Sequence, residues 1–242
     1  MSGFYSVACD YIHEGCVHFM KRSVLSFVLI LSIILVGVAC SDEKADDEDS
    51  VGIGLTYIAY EWDDLQTKAY LGSPEAEHTL LLAFDYACSW CKKWMAEVLP
   101  ELQASLIDSG ALKYYSQAVS LLSQESINLA RVDYAVETLY PDHYFELQQT
   151  FAAEAGSDGW GSEAYIADRL ARIGLSADML EDERLDGMTD RLRLTRDYTR
   201  NRNLQSVPSV YVDGIQVSNP FDIQEIMGIV DGTIRAGDPM PQ

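Results

Sequence analysis

Apolar positions recur along this chain with different spacings, and each spacing predicts a different element. From Leu80 to Phe84 they run without a break, behind a turn-forming block at Gly72 to Pro74. A short continuous run of this kind predicts a central strand buried on both faces. A second strand is expected at Leu112 to Gln117, and another around Ile53 to Tyr60. Elsewhere the apolar residues step by three and four: Leu129, Val132, Val136 and Leu139; Tyr144, Leu147 and Phe151; Ile166, Leu170 and Ile173; Leu185, Met188 and Leu192. Each set predicts a helix that buries one face. Lys92 to about Ile107 also favours helix, with Pro100 expected to kink it because proline has no amide to donate. Ser209 to Val212 and Ile215 to Val217 flank Asp213-Gly214, a pair that readily takes the positive φ angles of a tight hairpin. Asn219 is expected to cap a last helix with Pro220 in its first position, running to about Arg235. The order is strand, helix, strand, a helical block at about 120–205, hairpin, helix, which places the chain in the α/β class.

One apolar run differs from all of these. Ser23 to Ala39 is interrupted only by small residues and follows Met20, Lys21 and Arg22, the layout of an export signal. Met20 is therefore expected to be the true start, with residues 1–19 an over-long reading of the gene. Cys9, His13, Cys16 and His18 in that leader are zinc-type ligands, but their spacing matches no standard finger. The run ends in Gly37, Val38, Ala39 and Cys40, which resembles a bacterial lipoprotein signal whose cysteine is lipidated and becomes the mature N-terminus. Gly37 departs from the larger aliphatic usual there. Ordinary cleavage before Cys40 and an uncleaved anchor stay open, and all three readings put the folded part outside the cytoplasm, where disulfides persist. Residues 41–52 read as an acidic tether, with six acids and one lysine among residues 41–50. The domain is expected to occupy residues 53–242.

Charge narrows the partners further. Thirty-eight acidic against 17 basic residues give a net charge of −21, and all of it belongs to the segment after residue 40, because Asp10 and Glu14 cancel Lys21 and Arg22. Such a surface repels nucleic acid and anionic headgroups over a Debye length, so nucleic acid is excluded as a partner.

If Cys40 carries lipid, Cys88 and Cys91 are the two thiols left to the folded part. They stand where the buried strand hands over to a helix. At a helix start the unpaired amides and the macrodipole favour thiolate. Cys88 is expected to be the exposed nucleophile and Cys91, one turn in, the buried resolving thiol. Zinc also uses paired cysteines but normally needs four ligands, and the mature chain adds only His78 and His143. Redox chemistry is the preferred reading over metal binding or inert burial.

Leu71 to Ala76, Phe84-Asp85-Tyr86 leading into the two cysteines, and Ser206 to Gly214 resemble the DsbA-like thioredoxin-fold oxidoreductases. The likeness covers about residues 70–235 and implies a thioredoxin fold with a helical insertion between the second strand and a cis-proline hairpin. It implies that Pro208 is the cis proline facing the redox pair, with Val207 offering backbone hydrogen bonds to an extended substrate. Two positions depart from the family. Ser89-Trp90 replaces a dipeptide that often begins with proline, which leaves the oxidising or reducing direction open. Leu82 stands where many relatives keep a buried acid that moves protons at the resolving cysteine. Asp85 is the nearest ionisable residue, but strand alternation is expected to turn it to the opposite face.

Lys92 and Lys93 read as solvated lysines of an early helical turn. The arginines from Arg184 to Arg202, interleaved with acids, read as a salt-bridged helix face. Trp90 and Trp94 either rim a substrate groove or pack. The expected activity is exchange of disulfides with protein or peptide thiols, with no metal or organic cofactor and with a separate redox partner to recycle the pair. The rivals are a lipoprotein that keeps the fold but only binds extended peptides, and a thiol-based metal carrier.

Overall fold

The structure, a computed structural model, describes residues 55–61, 68–119, 122–201 and 204–241, without the side chains of 198 and 199. The chain divides after Val51, and the leader, the apolar run with Cys40 and the acidic tether lie outside the described residues. Among the described residues no helix is long and apolar enough to cross a membrane.

The continuous apolar run forms β1 (His78–Phe84), and Leu80, Leu81, Leu82, Ala83 and Phe84 are all buried. Burial on both faces follows from its central place. β2 (Leu112–Ala118) lies parallel to it on one side and β3 (Ser209–Val212) antiparallel on the other, with β4 (Ile215–Gln216) beyond β3. Leu80, Leu82 and Phe84 face the larger core, and Leu81 and Ala83 face a smaller one with Tyr115, Val119, Leu204 and Tyr211. Each fully buried leucine contributes about 2 kcal/mol relative to exposure.

The larger face is covered by α1 (Ser89–Leu102) and by the insertion. α1 buries Cys91, Trp94, Met95, Val98, Leu99 and Leu102, steps of three and four that place them on one stripe. Pro100 is held inside this helix, which continues to Leu102 and widens into a π turn over Gln103–Ile107. The insertion comprises α2 (Gln124–Leu139), α3 (Tyr144–Ala153), α4 (Glu163–Arg172) and α5 (Met188–Arg200). Ser123 and Ser162 cap α2 and α4 by accepting from the amides of Ser126 and Tyr165. On and before α5, Arg193 pairs with Asp190 and Asp197, and Arg184 with Asp182, whereas Arg196 holds a buried Nε without a hydrogen-bond partner, Arg191 lines a cavity and Arg202 lies outside the described residues.

The hairpin turns at Asp213 (φ 48°) and Gly214 (φ 80°), both left-handed. A side chain at Gly214 would strike the carbonyl oxygen of Tyr60 at 2.0 Å, so glycine is required by space as well as by φ.

Two expected elements differ. The strand sought around Ile53 to Tyr60 is, in its described part, a segment with isolated bridges from Thr56 to Pro239 and from Ala59 to Ile215. β4 is only two residues long and Pro239 has no amide, so no ladder can extend. The last helix, α6 (Ile223–Val230), starts later and stops earlier than expected. Asn219 spends its side chain on the amide of Phe221 (3.1 Å), and the cap is Asp222, which accepts from Gln224 and Glu225 at 2.9 and 3.2 Å. Gly232 at φ 75° follows its end.

Candidate active site

β1 ends at Phe84 and α1 begins at Ser89, so four residues carry the chain from strand to helix. Asp85 holds that turn in shape. Its carboxylate accepts the amides of Ala87 (2.8 Å) and Leu122 (2.9 Å) and the hydroxyl of Ser126, while its carbonyl accepts the amide of Cys88 at 3.1 Å. Asp85 is fully buried, one residue past the strand, and close enough to Cys91 to act on it electrostatically. Its carboxylate bonds to this turn and to the start of α2, while its backbone hydrogen-bonds with the Cys91 sulfur.

Cys88 is the N-cap of α1, with extended φ of −80° and ψ of 115°, and its carbonyl accepts the amide of Lys92. Cys91 sits one turn inside. Both are free thiols. Cys88 is 8% exposed and Cys91 1%, so the two differ in the expected sense but Cys88 is far from open. Burial pushes the Cys91 thiol well up; the backbone of Asp85 partly offsets this by hydrogen bonding, and the neighbouring Cys88 adds to it. Cys91 therefore holds its proton through the neutral range.

Across from the cysteines lies the loop before β3. The Val207–Pro208 bond is cis, and the Cys88 thiol donates to the Val207 carbonyl at 3.4 Å. Trp90 is 58% exposed on the same end of α1 and meets the ring of Phe221 edge-on at 5.8 Å. Lys93 spans both rings, 5.3 and 5.6 Å from their centroids, and pairs with Glu97. Trp94 takes the other role: it is fully buried, stacks on Tyr114 and donates to the Pro220 carbonyl at 2.7 Å. That bond ties α1 to the segment before α6 and brings Phe221 to Trp90. Thus the fold gathers Cys88, Cys91, Trp90, Val207 and Pro208 at one end of α1, whereas Cys40 lies outside the described residues.

Leu82 is fully buried, in register with Ser116 on β2 and Val210 on β3. Next to this leucine the interior turns polar. Ser116 bonds to Tyr144 and Gln148 at 3.2 and 3.1 Å, and Asp133 accepts from Tyr86 (2.5 Å) and Tyr144 (3.1 Å). Burial raises the Asp133 carboxyl to about 7, against the hydrogen bonds of Tyr86 and Tyr144 and the charge of Lys68; Glu137 pushes it the same way as burial. No motif announces this cluster, yet the apolar pattern carries a signal for it. Asp133 stands four residues after Leu129 and three before Val136, and Gln148 stands four after Tyr144 and three before Phe151, so both interrupt an apolar stripe. Phe221 gave no such signal, because its place beside Trp90 depends on where α6 begins.

Among the described residues no group of three or more histidine, cysteine or acidic side chains is placed to hold a metal ion.

Residues 64–232 match the model of the family described as Thioredoxin. Disulfide bond formation protein D of Bacillus subtilis (strain 168) is 23% identical over 169 residues, covering 68% of this chain and 76% of that protein. The crystal structure of oxidised BdbD from Bacillus subtilis superimposes with a TM-score of 0.63 at 18% identity, over 74% of this chain and 97% of that one. The thiol-disulfide exchange protein alpha-DsbA2 from Wolbachia pipientis does so with a TM-score of 0.57 at 23% identity, over 70% and 88%. With its sheet order, its inserted helices and a match over most of its length, this chain belongs to the thioredoxin family, in the DsbA-like form of the fold.

Proposed function

We propose that this chain is an extracytoplasmic thiol:disulfide oxidoreductase that exchanges disulfides with proteins or peptides through Cys88 and Cys91. The observation that carries the reading is the pairing of two free thiols at the start of α1 with a cis-proline loop whose Val207 carbonyl meets the Cys88 sulfur. The names of its relatives, a disulfide bond formation protein and a thiol-disulfide exchange protein, support the same chemistry.

In the oxidising direction a substrate thiolate attacks the Cys88 sulfur of the Cys88–Cys91 disulfide. Cys91 leaves with the electron pair and takes up a proton, and a second substrate thiolate then displaces Cys88. In the reducing direction Cys88 attacks the substrate disulfide and Cys91 displaces the substrate thiolate. An extended substrate would lie along Val207 and Pro208 as an added strand, read mostly through its main chain, with Trp90 as an apolar rim. The exchange needs no metal or organic cofactor, but a redox partner must recycle the pair. The charged start, the apolar run and the small residues before Cys40 support export and lipid anchoring at Cys40; a fatty-acid label that is absent from wild type would end that part of the reading.

Titration against a thiol/disulfide buffer, with acid quenching and thiol trapping, tests the activity. The reading expects a reversible two-electron couple lost together in Cys88→Ser and Cys91→Ser. A peptide-binding module would show no reversible couple, and a carrier would retain metal through purification; either result rejects the reading.

A further inference from the structure

The segment between β4 and α6 carries one half of the apolar rim beside the cysteines, because Phe221 is the ring that meets Trp90. From Ser218 to Phe221 it belongs to no strand or helix, so side chains must hold its shape. Glu225 supplies most of that hold. It is buried, and its carboxylate accepts the Ser218 amide at 2.6 Å, the Ser218 hydroxyl at 2.9 Å and the Asn219 amide at 3.0 Å. From the opposite side the indole of Trp94 donates to the Pro220 carbonyl at 2.7 Å. Phe221 therefore follows directly on a stretch of chain that is anchored twice, once to α6 and once to α1.

A fourth donor to Glu225 comes from the far end of the described chain. The Tyr57 hydroxyl reaches the same carboxylate at 2.7 Å. Tyr57 lies on the segment along the outer edge of the sheet, where Ala59 bridges Ile215 and the Ile58 carbonyl accepts the Gln216 amide at 3.4 Å. Its backbone is also paired with the end of the chain: the Tyr57 amide donates to Asp238 at 2.9 Å and its carbonyl accepts from Gly237 at 2.8 Å. Burial and the bond to Glu225 push the Tyr57 phenol up to about 12, so it stays a donor through the neutral range. Each oxygen of Glu225 thus accepts two donors, which fills the carboxylate and leaves it no freedom to turn. A continuous brace runs from the edge segment through Glu225 to the loop that presents Phe221.

We propose that Glu225, braced by Tyr57, is a positioning residue for substrate: it holds Phe221 against Trp90 and so favours peptides with an aromatic side chain beside the reacting cysteine. The proposal rests on the oxidoreductase reading and deepens it by naming a substrate class. Trp90 is more than half exposed, so one ring of the edge-on pair is open to a third. Aromatic rings attract one another face to edge beyond what buried area gives, which sets an aromatic side chain apart from a small one at this place. The exchange keeps its steps. Cys88 attacks the substrate disulfide, the leaving thiolate departs with the electron pair, and Cys91 then displaces the bound peptide as its thiolate. Glu225 and Tyr57 act only through Phe221, so a loosened brace weakens binding of an aromatic peptide and leaves the chemistry at sulfur alone.

The test reacts the reduced protein with three disulfides that share one activated aromatic leaving thiol. One is a cysteine peptide with phenylalanine beside the cysteine, one is the same peptide with alanine there, and one is glutathione. Attack by Cys88 releases the aromatic thiolate, whose absorbance gives the rate at each substrate concentration. Wild type should half-saturate at an about five-fold lower concentration of the phenylalanine peptide than of the alanine peptide. Tyr57→Phe keeps the ring and removes the donor. It should erase most of that preference by raising the half-saturating concentration of the phenylalanine peptide, with the maximal rate and the glutathione rate unchanged. Phe221→Ala should erase the preference completely, and adding Tyr57→Phe to it should change nothing more, because both act through one ring. The proposal is overturned by a wild type without the preference, by a Tyr57→Phe variant slowed equally on all three disulfides, or by effects of the two substitutions that simply add. In each of those cases exchange itself still stands. A wild type that releases no thiolate from any of the three fails the oxidoreductase reading instead. Should Tyr57→Phe not fold, Ser218→Ala, which removes one donor to Glu225 and keeps the backbone bonds, is measured in the same way. Selective loss of the preference supports the positioning role; an unaltered preference overturns it.

Discussion

The turn that leads into α1 and the polar pocket beneath the insertion each bury one aspartate, and the two are surrounded differently. Asp85 gathers donors from its own turn and from the start of α2, and so fixes where Cys88 stands. Asp133 gathers phenols from two different segments and borders a cavity. Asp85 takes two backbone amides and one serine hydroxyl, whereas Asp133 takes two phenols and the Gln148 amide, so the first is tied to the backbone of its turn and the second to side chains. The difference shows that two equally buried acids can serve a fold differently: one fixes a turn of the backbone, the other joins side chains of separate elements.

The comparison can be broken at either aspartate. A loss of about 2 kcal/mol is expected from Asp85→Ala, which takes the acceptor from the part-buried amide of Leu122, leaves the Ala87 amide only the Ser126 hydroxyl and removes the partner of that hydroxyl. Urea denaturation at constant m measures it, and an unchanged midpoint would deny Asp85 its framing role. A pH-dependent effect is expected at Asp133. Its folded carboxyl titrates at about 7 against an ordinary value of 3.8, so the folded state binds the proton more tightly than the unfolded chain. That contribution is present below about pH 4 and is lost as pH rises through about 7. Stability should therefore fall from pH 4 to 7 and level off above, and Asp133→Asn should flatten that slope. An identical slope in the variant would place the titration elsewhere. The smallest effect belongs to Arg193→Ala: its pairs with Asp190 and Asp197 are about half exposed, so the loss should stay below about 0.5 kcal/mol and shrink further in salt. A larger loss would mean that α5 is held by its charges.

How much of this was legible in the sequence follows the same division. The continuous run at Leu80 to Phe84, the cysteines after it and Asp213-Gly214 all act through neighbours in the chain, and each predicted element forms. The segment around Tyr57 and the start of α6 depend on partners remote in sequence. A bridge to Pro239 and the competition between Asn219 and Asp222 for capping leave no periodic trace. The site divides similarly. Cys88, Cys91 and Pro208 were visible through local motif and resemblance, whereas Phe221 joins Trp90 only after the indole of Trp94 has bonded to Pro220. Leu82 read as a missing acid, and position along one strand could not show that its neighbour in register, Ser116, belongs to a cluster containing one.

The central claim is that Cys88 reacts with substrate and Cys91 resolves, and cysteine replacement tests it most directly. Cys91→Ser and Cys88→Ser would each be reduced, incubated with an unfolded protein whose single cysteine carries an activated mixed disulfide, from which the attacking thiolate displaces the small thiol, then quenched in acid, blocked and run on non-reducing gels. The account predicts that Cys91→Ser accumulates a covalent complex and that Cys88→Ser forms almost none, because Cys88 borders the Val207 loop while Cys91 is sealed in the core. Equal trapping by the two variants, or none by Cys91→Ser, would contradict it.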